Sequence, residues 1–310
     1  MTTETNFPWP DVAAQRSSHA NAVNFLLRLL CFFAAMIPPG KSAASETGSL
    51  ARHLATNAAA RYSGTLDYLP FRAPNSLGLD RVTRANWSQT FWLRGVQGLG
   101  ATPIGFTNLP GGQGLPTMVS PRHYLSATHM HCESYTIVFL DTNNVTHWRK
   151  VLQRVDVGSD TSVGILDADL PPSVGFLPVL PANFTNYLPA TPTNYIQGIG
   201  MNQEFYLFSQ PMLFAYPGTV TWNSRVAVPD GLGTNCNVTI RGGDSSNPEM
   251  LLIGNQLVLA SHNASAGGGP NYAFQISAIN QKMHLLSTNN RVRSDYQLTE
   301  FPLTNWPTIR

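Results

Sequence analysis

The stretch Arg241–Pro248 reads Arg-Gly-Gly-Asp-Ser-Ser-Asn-Pro, residue types that could carry acyl transfer. Two glycines permit a sharp turn and the close approach of a ligand, and Pro248 closes the segment before an apolar run. Such a turn can present the Ser245 hydroxyl outward. It can also aim the amide N–H groups of Gly243 and Ser245 into one pocket, where they would hold an oxyanion. The same residue types are at home in an ordinary polar loop, so the turn means chemistry only if a base lies beside the serine.

A base is available upstream. Val119–His129 is an apolar segment that stops in a histidine just where the chain turns polar. A histidine at a strand end has its ring fixed by the strand and its nitrogens free to reach outward, the posture of a general base. A second chemistry starts from the same place: His123, His129, His131 and Glu133 could share a strand face, and imidazole plus carboxylate suits zinc. No outlying ligand pair at a recognisable spacing accompanies them, and His131, between Met130 and Cys132, reads as a satisfied strand-end residue.

The elements that must position these residues are strands. Only 12% of the 310 residues are charged, and 25 glycines and 23 prolines punctuate short apolar runs, which is the texture of an all-β fold. From Ala101 onward such runs alternate with Gly, Pro and Asn turns. They resume at Tyr195, after a Pro-rich connector from Leu177 to Pro192. Two blocks of similar strand density imply two antiparallel barrels packed side by side, residues 101–190 carrying His129 and residues 191–290 carrying Ser245.

Residues 45–100 read as an N-terminal extension that opens with a helix over Ser49–Arg61, and 291–310 as a C-terminal tail. Ser277–Leu286 places Ile279, Met283 and Leu286 on one face at helical spacing, predicting an amphipathic helix at the end of the second block. Before all of this, Leu29–Ile37 is an uninterrupted apolar run between Arg28 and Pro38-Pro39-Gly40, followed by Ser42-Ala43-Ala44. It fits a signal peptide over residues 1–44, and hence a secreted or periplasmic protein, better than a membrane span; the alternative is a short buried helix.

A net charge of +2 from 19 basic and 17 acidic residues, with no basic cluster, gives no reason to expect a nucleic-acid partner. Cys31, Cys132 and Cys236 are too few and too far apart for a disulfide framework or a Cys-x-x-Cys metal site. Without Cys31 the other two could form one bridge, or each could be a buried free thiol. No cofactor is implied.

Leu125-Ser126-Ala127-Thr128-His129 resembles the strand-end histidine segment of the chymotrypsin/trypsin-like serine peptidases, usually Leu-Thr-Ala-Ala-His. Gly243-Asp244-Ser245 with Pro248 is similar to that family's Gly-Asp-Ser-Gly-x-Pro turn, and the chain order His, Asp, Ser is the one it uses. The resemblance spans about residues 100–290 and implies two Greek-key barrels and a secreted serine endopeptidase acting on a protein or peptide. It also implies an orienting acid between the two motifs. Asp160, followed by Val163 and Leu166, resembles the family's Asp-x-Ala-Leu-Leu-x-Leu segment, with Asp156, Asp167 and Asp169 as competitors. Three roles follow: Ser245 attacks, His129 shuttles the proton and Asp160 orients the ring.

By the same likeness Thr239, six residues before Ser245, would stand at the base of the substrate pocket. Segments containing Ser261 and Gly267 would form its walls, their glycines leaving it open. The chain departs from the family at Ser246, where a glycine is usual and a Cβ could crowd the turn. That departure supports an alternative, a peptidase-like binding module without catalysis. Cys132 lies three positions past His129, so the family's familiar bridge does not transfer, and Asp244 has no obvious ammonium partner.

Overall fold

Helix α1 (Leu50–Arg61) opens the described part of the chain, a computed structural model that covers residues 49–61, 67–72, 85–107, 115–132, 135–188, 195–203, 205–215, 218–222, 240–265, 268–293 and 295–309. The expected leader, Cys31, Glu133, Cys236, Thr239 and Gly267 lie outside these residues. Two short strands, β1 (Phe71–Arg72) and β2 (Asn86–Trp87), pair with each other in the extension.

Six strands then form one antiparallel sheet: β3 (Gly105–Thr107), β4 (Thr117–Met118), β5 (His123–Ala127), β6 (Thr136–Leu140), β7 (Thr146–Gly158) and β8 (Thr161–Leu166). Their spatial order is β3-β6-β7-β8-β5-β4. Six more, β9 (Tyr195–Met201), β10 (Leu207–Ala215), β11 (Thr219–Trp222), β12 (Pro248–Ile253), β13 (Gln256–His262) and β14 (Gly268–Pro270), form a second antiparallel sheet in the order β13-β12-β9-β10-β11-β14. Helix α2 (Ile276–Asn289) follows. The architecture is the expected all-β one, two antiparallel units with an N-terminal extension and a C-terminal helix, realised as curled six-stranded half-barrels.

Each sheet contains a Greek key: β9, β10 and β11 are successive neighbours and β12 returns beside β9, while β6, β7 and β8 are successive and β5 lies beside β8. In both, the connection that breaks the hairpin sequence bears a candidate reactive residue. His129 follows β5, and Ser245 precedes β12.

Curling has visible local causes. β7 slips register between Val151 and Gln153 and again between Asp156 and Gly158, and such bulges bend a strand and increase its twist. In the second sheet a Cβ on Gly269 would lie 1.6 Å from the His262 carbonyl oxygen. Only glycine lets the end of β13 and β14 come this close.

Every residue of β5, β8 and β12 is buried, because one face of each strand meets its own sheet's interior and the other is covered by the neighbouring unit or a helix. Leu125, Val163 and Ile165 of the first sheet share one apolar cluster with Ile199, Met250 and Leu259 of the second. α2 contributes Ile279, Met283 and Leu286 to that cluster, the face its spacing predicts, and packs on β7 and β8. It therefore crosses back onto the first sheet and runs to Asn289, three residues past its expected end. No helix among the described residues is long and apolar enough to cross a membrane.

Candidate active site

The hairpin between β7 and β8 has a two-residue loop, Ser159-Asp160, with φ of 51° and 59°. Positive φ at both central residues is the backbone of a type I′ turn, whose twist matches that of the flanking strands. Aspartate tolerates this left-handed region better than most side chains. The turn sets the Asp160 carboxylate against the residues that follow β5. His129 Nδ1 lies 2.8 Å from Oδ2 and 3.0 Å from Oδ1, and the His129 main-chain N–H donates to Oδ1 at 3.2 Å. Thr128 N–H donates to the Asp160 carbonyl oxygen at 2.9 Å.

A carboxylate only accepts, so Nδ1 carries a proton and Nε2 is left with its lone pair outward, the tautomer a general base needs. The His129 side chain is 46% exposed, open to an incoming group. The competing acids are engaged elsewhere: Asp156 lies 4.0 Å from Arg154, Asp167 accepts from Lys150 N–H, and Asp169 meets Arg122 and the Tyr296 hydroxyl.

The serine turn is built differently from the way its sequence suggests. Gly243 has φ of 100° and Ser246 has φ of 72°, so the position where a glycine is usual does adopt a glycine-like conformation. Its side chain does not crowd the access side. Ser246 is buried, its Oγ accepts from Ala127 N–H of β5 at 2.8 Å, and its own N–H donates to the Asn263 carbonyl at 2.8 Å. The hydroxyl thus ties the Ser245 turn to the strand that leads into His129. Its partner is 119 residues away in sequence, so no local pattern could have announced it. Ser246→Ala keeps the strained φ and leaves the Ala127 amide without an acceptor, and we expect a loss of about 1–3 kcal/mol in urea unfolding.

Asp244, without an ammonium partner in prospect, is 1% exposed and is held by main-chain amides: Arg241 N–H to Oδ2 at 2.7 Å and Gln203 N–H to Oδ1 at 2.5 Å. Backbone donors of this kind stabilise a buried carboxylate. Among the described residues, the N–H groups of Gly243 and Ser245 enter no hydrogen bond, and none joins Ser245 Oγ to the His129 ring. The site therefore brings His129 and Asp160 into direct contact and anchors the Ser245 turn to the same strand, without a formed bond from serine to base.

Of the segments expected as pocket walls, Gly269 lets β14 close onto His262, and with Gly268 it lines an open cleft beside Ser159. Ser261 is buried and donates to the His262 carbonyl at 3.2 Å. Beside it lies a residue that the sequence did not flag. Glu249, at the start of β12, is fully buried, accepts from Trp222 Nε1–H at 2.6 Å and has the Ser261 hydroxyl next to its carboxyl. Burial pushes its carboxyl up to about 8, against the opposing pull of Ser261 and Trp222. The Trp222 ring has room because Gly198 and Gly200 of β9 lack side chains; a Cβ on either would come within 3.0 Å of it.

The described residues of the zinc reading, His123, His129 and His131, do not converge. His123 is buried between Ser120 Oγ at 3.0 Å and Ser287 Oγ of α2 at 3.1 Å, and burial lowers its ring to about 4. His131 Nδ1 meets Arg154 at 3.1 Å. Among the described residues no three His, Cys, Asp or Glu side chains gather in a metal-holding group. Cys132 is buried, its Sγ 3.8 Å from the Met130 carbonyl oxygen, and Cys236 lies outside the described residues.

Against known proteins, no family model matches the chain and no curated protein matches it. Solved structures similar to it include two peptidases. One is kallikrein-related peptidase 10 in complex with Zn2+, with a TM-score of 0.42 and 16% identity over 60% of this chain and 96% of that one. The other is neuropsin, a serine protease expressed in the limbic system of mouse brain, with a TM-score of 0.40 and 12% identity over 59% of this chain and 94% of that one.

Proposed function

We propose that the chain is a secreted serine endopeptidase that hydrolyses peptide bonds through an acyl-enzyme. The observation that carries this reading is the couple of His129 Nδ1 and the Asp160 carboxylate at 2.8 Å, exposed on the ring side and placed next to a turn that holds Ser245. Ser245 Oγ attacks the substrate carbonyl as Nε2 of His129 takes its proton. Asp160 holds the ring in its productive tautomer and stabilises the imidazolium, and the amides of Gly243 and Ser245 receive the oxyanion. The imidazolium then protonates the leaving amine, and water repeats the sequence to free the acid.

A second reading, a binding module with a peptidase-like fold and no catalysis, is favoured by the absence of a hydrogen bond between Ser245 and His129 among the described residues. Serine-to-base bonds in ligand-free enzymes are often long and tighten when substrate binds, so we rank it second. Incubation with a fluorophosphonate separates the two. The endopeptidase reading expects one covalent adduct, mapped to Ser245 by mass spectrometry and absent from Ser245→Ala. Folded protein that takes up no probe would favour the binding module.

A further inference from the structure

His262, at the last position of β13, points out of the second sheet toward the acid of the first. Its Nε2 lies 3.1 Å from the Asp160 main-chain oxygen, which can only accept, so Nε2 carries the proton. Nδ1 is then an acceptor, and it meets the Tyr272 hydroxyl, which must donate. Histidine and tyrosine are each within 1% of full burial, so neither exchanges these partners for water. The Asp160 carbonyl thus receives two donors, Thr128 N–H from its own sheet and His262 from the other. A residue at φ of 59° persists in a left-handed turn when its surroundings over-determine it, and these bonds do so.

We propose that His262, locked in one tautomer by Tyr272, is a positioning residue for Asp160: it fixes the acid's main chain so that the carboxylate meets His129, and the second sheet thereby sets the geometry of a couple built on the first. The groups facing it are Asp160 and His129 on one side and Tyr272 on the other, with Glu249 beyond the tyrosine. Burial lowers the His262 ring to about 4, so it remains the neutral donor that this role needs across the neutral range.

This inference rests on the endopeptidase reading for its kinetic consequence but not for its structural one. Saturating fluorophosphonate inactivation of the full chain gives kinact and KI separately. His262→Phe should lower kinact about 10²-fold with KI within about twofold, because a small misplacement of a catalytic group costs that much. His262→Gln, whose amide can still donate to the Asp160 carbonyl, should recover at least about tenfold of it. Tyr272→Phe keeps the ring and removes the lock, and should fall between.

A role confined to packing would lower the melting temperature without this split and without rescue by glutamine. A folded His262→Phe with wild-type kinact overturns the inference. The downfield proton resonance of the His129 ring N–H bonded to Asp160 does not depend on Ser245. It should be present in wild type and His262→Gln and be lost or shifted in His262→Phe. If wild-type Ser245 takes no probe, the endopeptidase reading fails and this resonance still decides: unchanged in His262→Phe, it overturns the positioning role.

Discussion

Asp160→Asn is expected to lower kcat by roughly 10⁴-fold while the protein stays folded. The fold should survive because asparagine tolerates the left-handed turn as well as aspartate does, and because the main-chain bonds from Thr128 and His262 to residue 160 are untouched. The chemistry should not survive. The His129 main-chain N–H and ring Nδ1 both approach the carboxylate within 3.2 Å, and an amide has only one accepting oxygen to offer them. If that oxygen takes the main-chain donor, the amide NH₂ faces Nδ1 and favours the tautomer with its proton on Nε2, which cannot accept from serine. The check is kcat on a peptide substrate beside a circular dichroism spectrum. Turnover within a factor of ten of wild type would remove Asp160 from the mechanism, whereas loss of the spectrum would show the turn to need its charge.

Glu249 supplies the second large effect, on stability rather than rate. Its folded carboxyl is held at about 8 against 4.5 unfolded, so between those values the folded state keeps a proton that the unfolded chain releases. Stability from this group is therefore fully present below 4.5 and is lost as pH rises through 8. His123 and His262 act with the opposite sign. Their rings are lowered to about 4 from 6.5, so their contribution is present above 6.5 and lost as pH falls through 4. From 6.5 to 8 Glu249 acts unopposed by them, and one proton over that span is worth roughly 2 kcal/mol. Wild-type urea midpoints should fall across this interval and those of Glu249→Gln should stay level. Parallel curves for the two proteins would show that the carboxyl is already ionised in the folded state.

These two residues mark what the sequence could and could not convey. Asp160 was legible through its resemblance to a family segment in which an aspartate precedes an apolar run, here Val163 to Leu166, and His129 because a strand that stops in histidine is a local pattern. Glu249 was not, since one acid between Pro248 and Met250 looks like the edge of a strand; its burial depends on Trp222 and on two glycines of a distant strand. The face of α2 was readable from its 3.6-residue period, but not the sheet it would cover, because an apolar stripe does not specify its partner. Ser246 looked like an obstacle because a missing glycine is visible in one dimension and a hydrogen bond to Ala127 is not. Glycines 267–269 suggested space; Gly268 and Gly269 do line a cleft, but at Gly269 the missing side chain also allows close contact with His262, a use that sequence alone does not reveal.

On the endopeptidase reading the Greek-key layout divides the reacting groups between the two sheets, His129 and Asp160 with one and Ser245 with the other. Among the described residues, polar bonds across that seam include Ala127 N–H to Ser246, Leu115 N–H to Asn247 and His262 to Asp160. Warming that loosens the seam would part the serine from its base while each sheet still holds its own ladder of bonds. On that reading activity is a property of the joint, which the apolar cluster shared by both sheets holds as much as these bonds do.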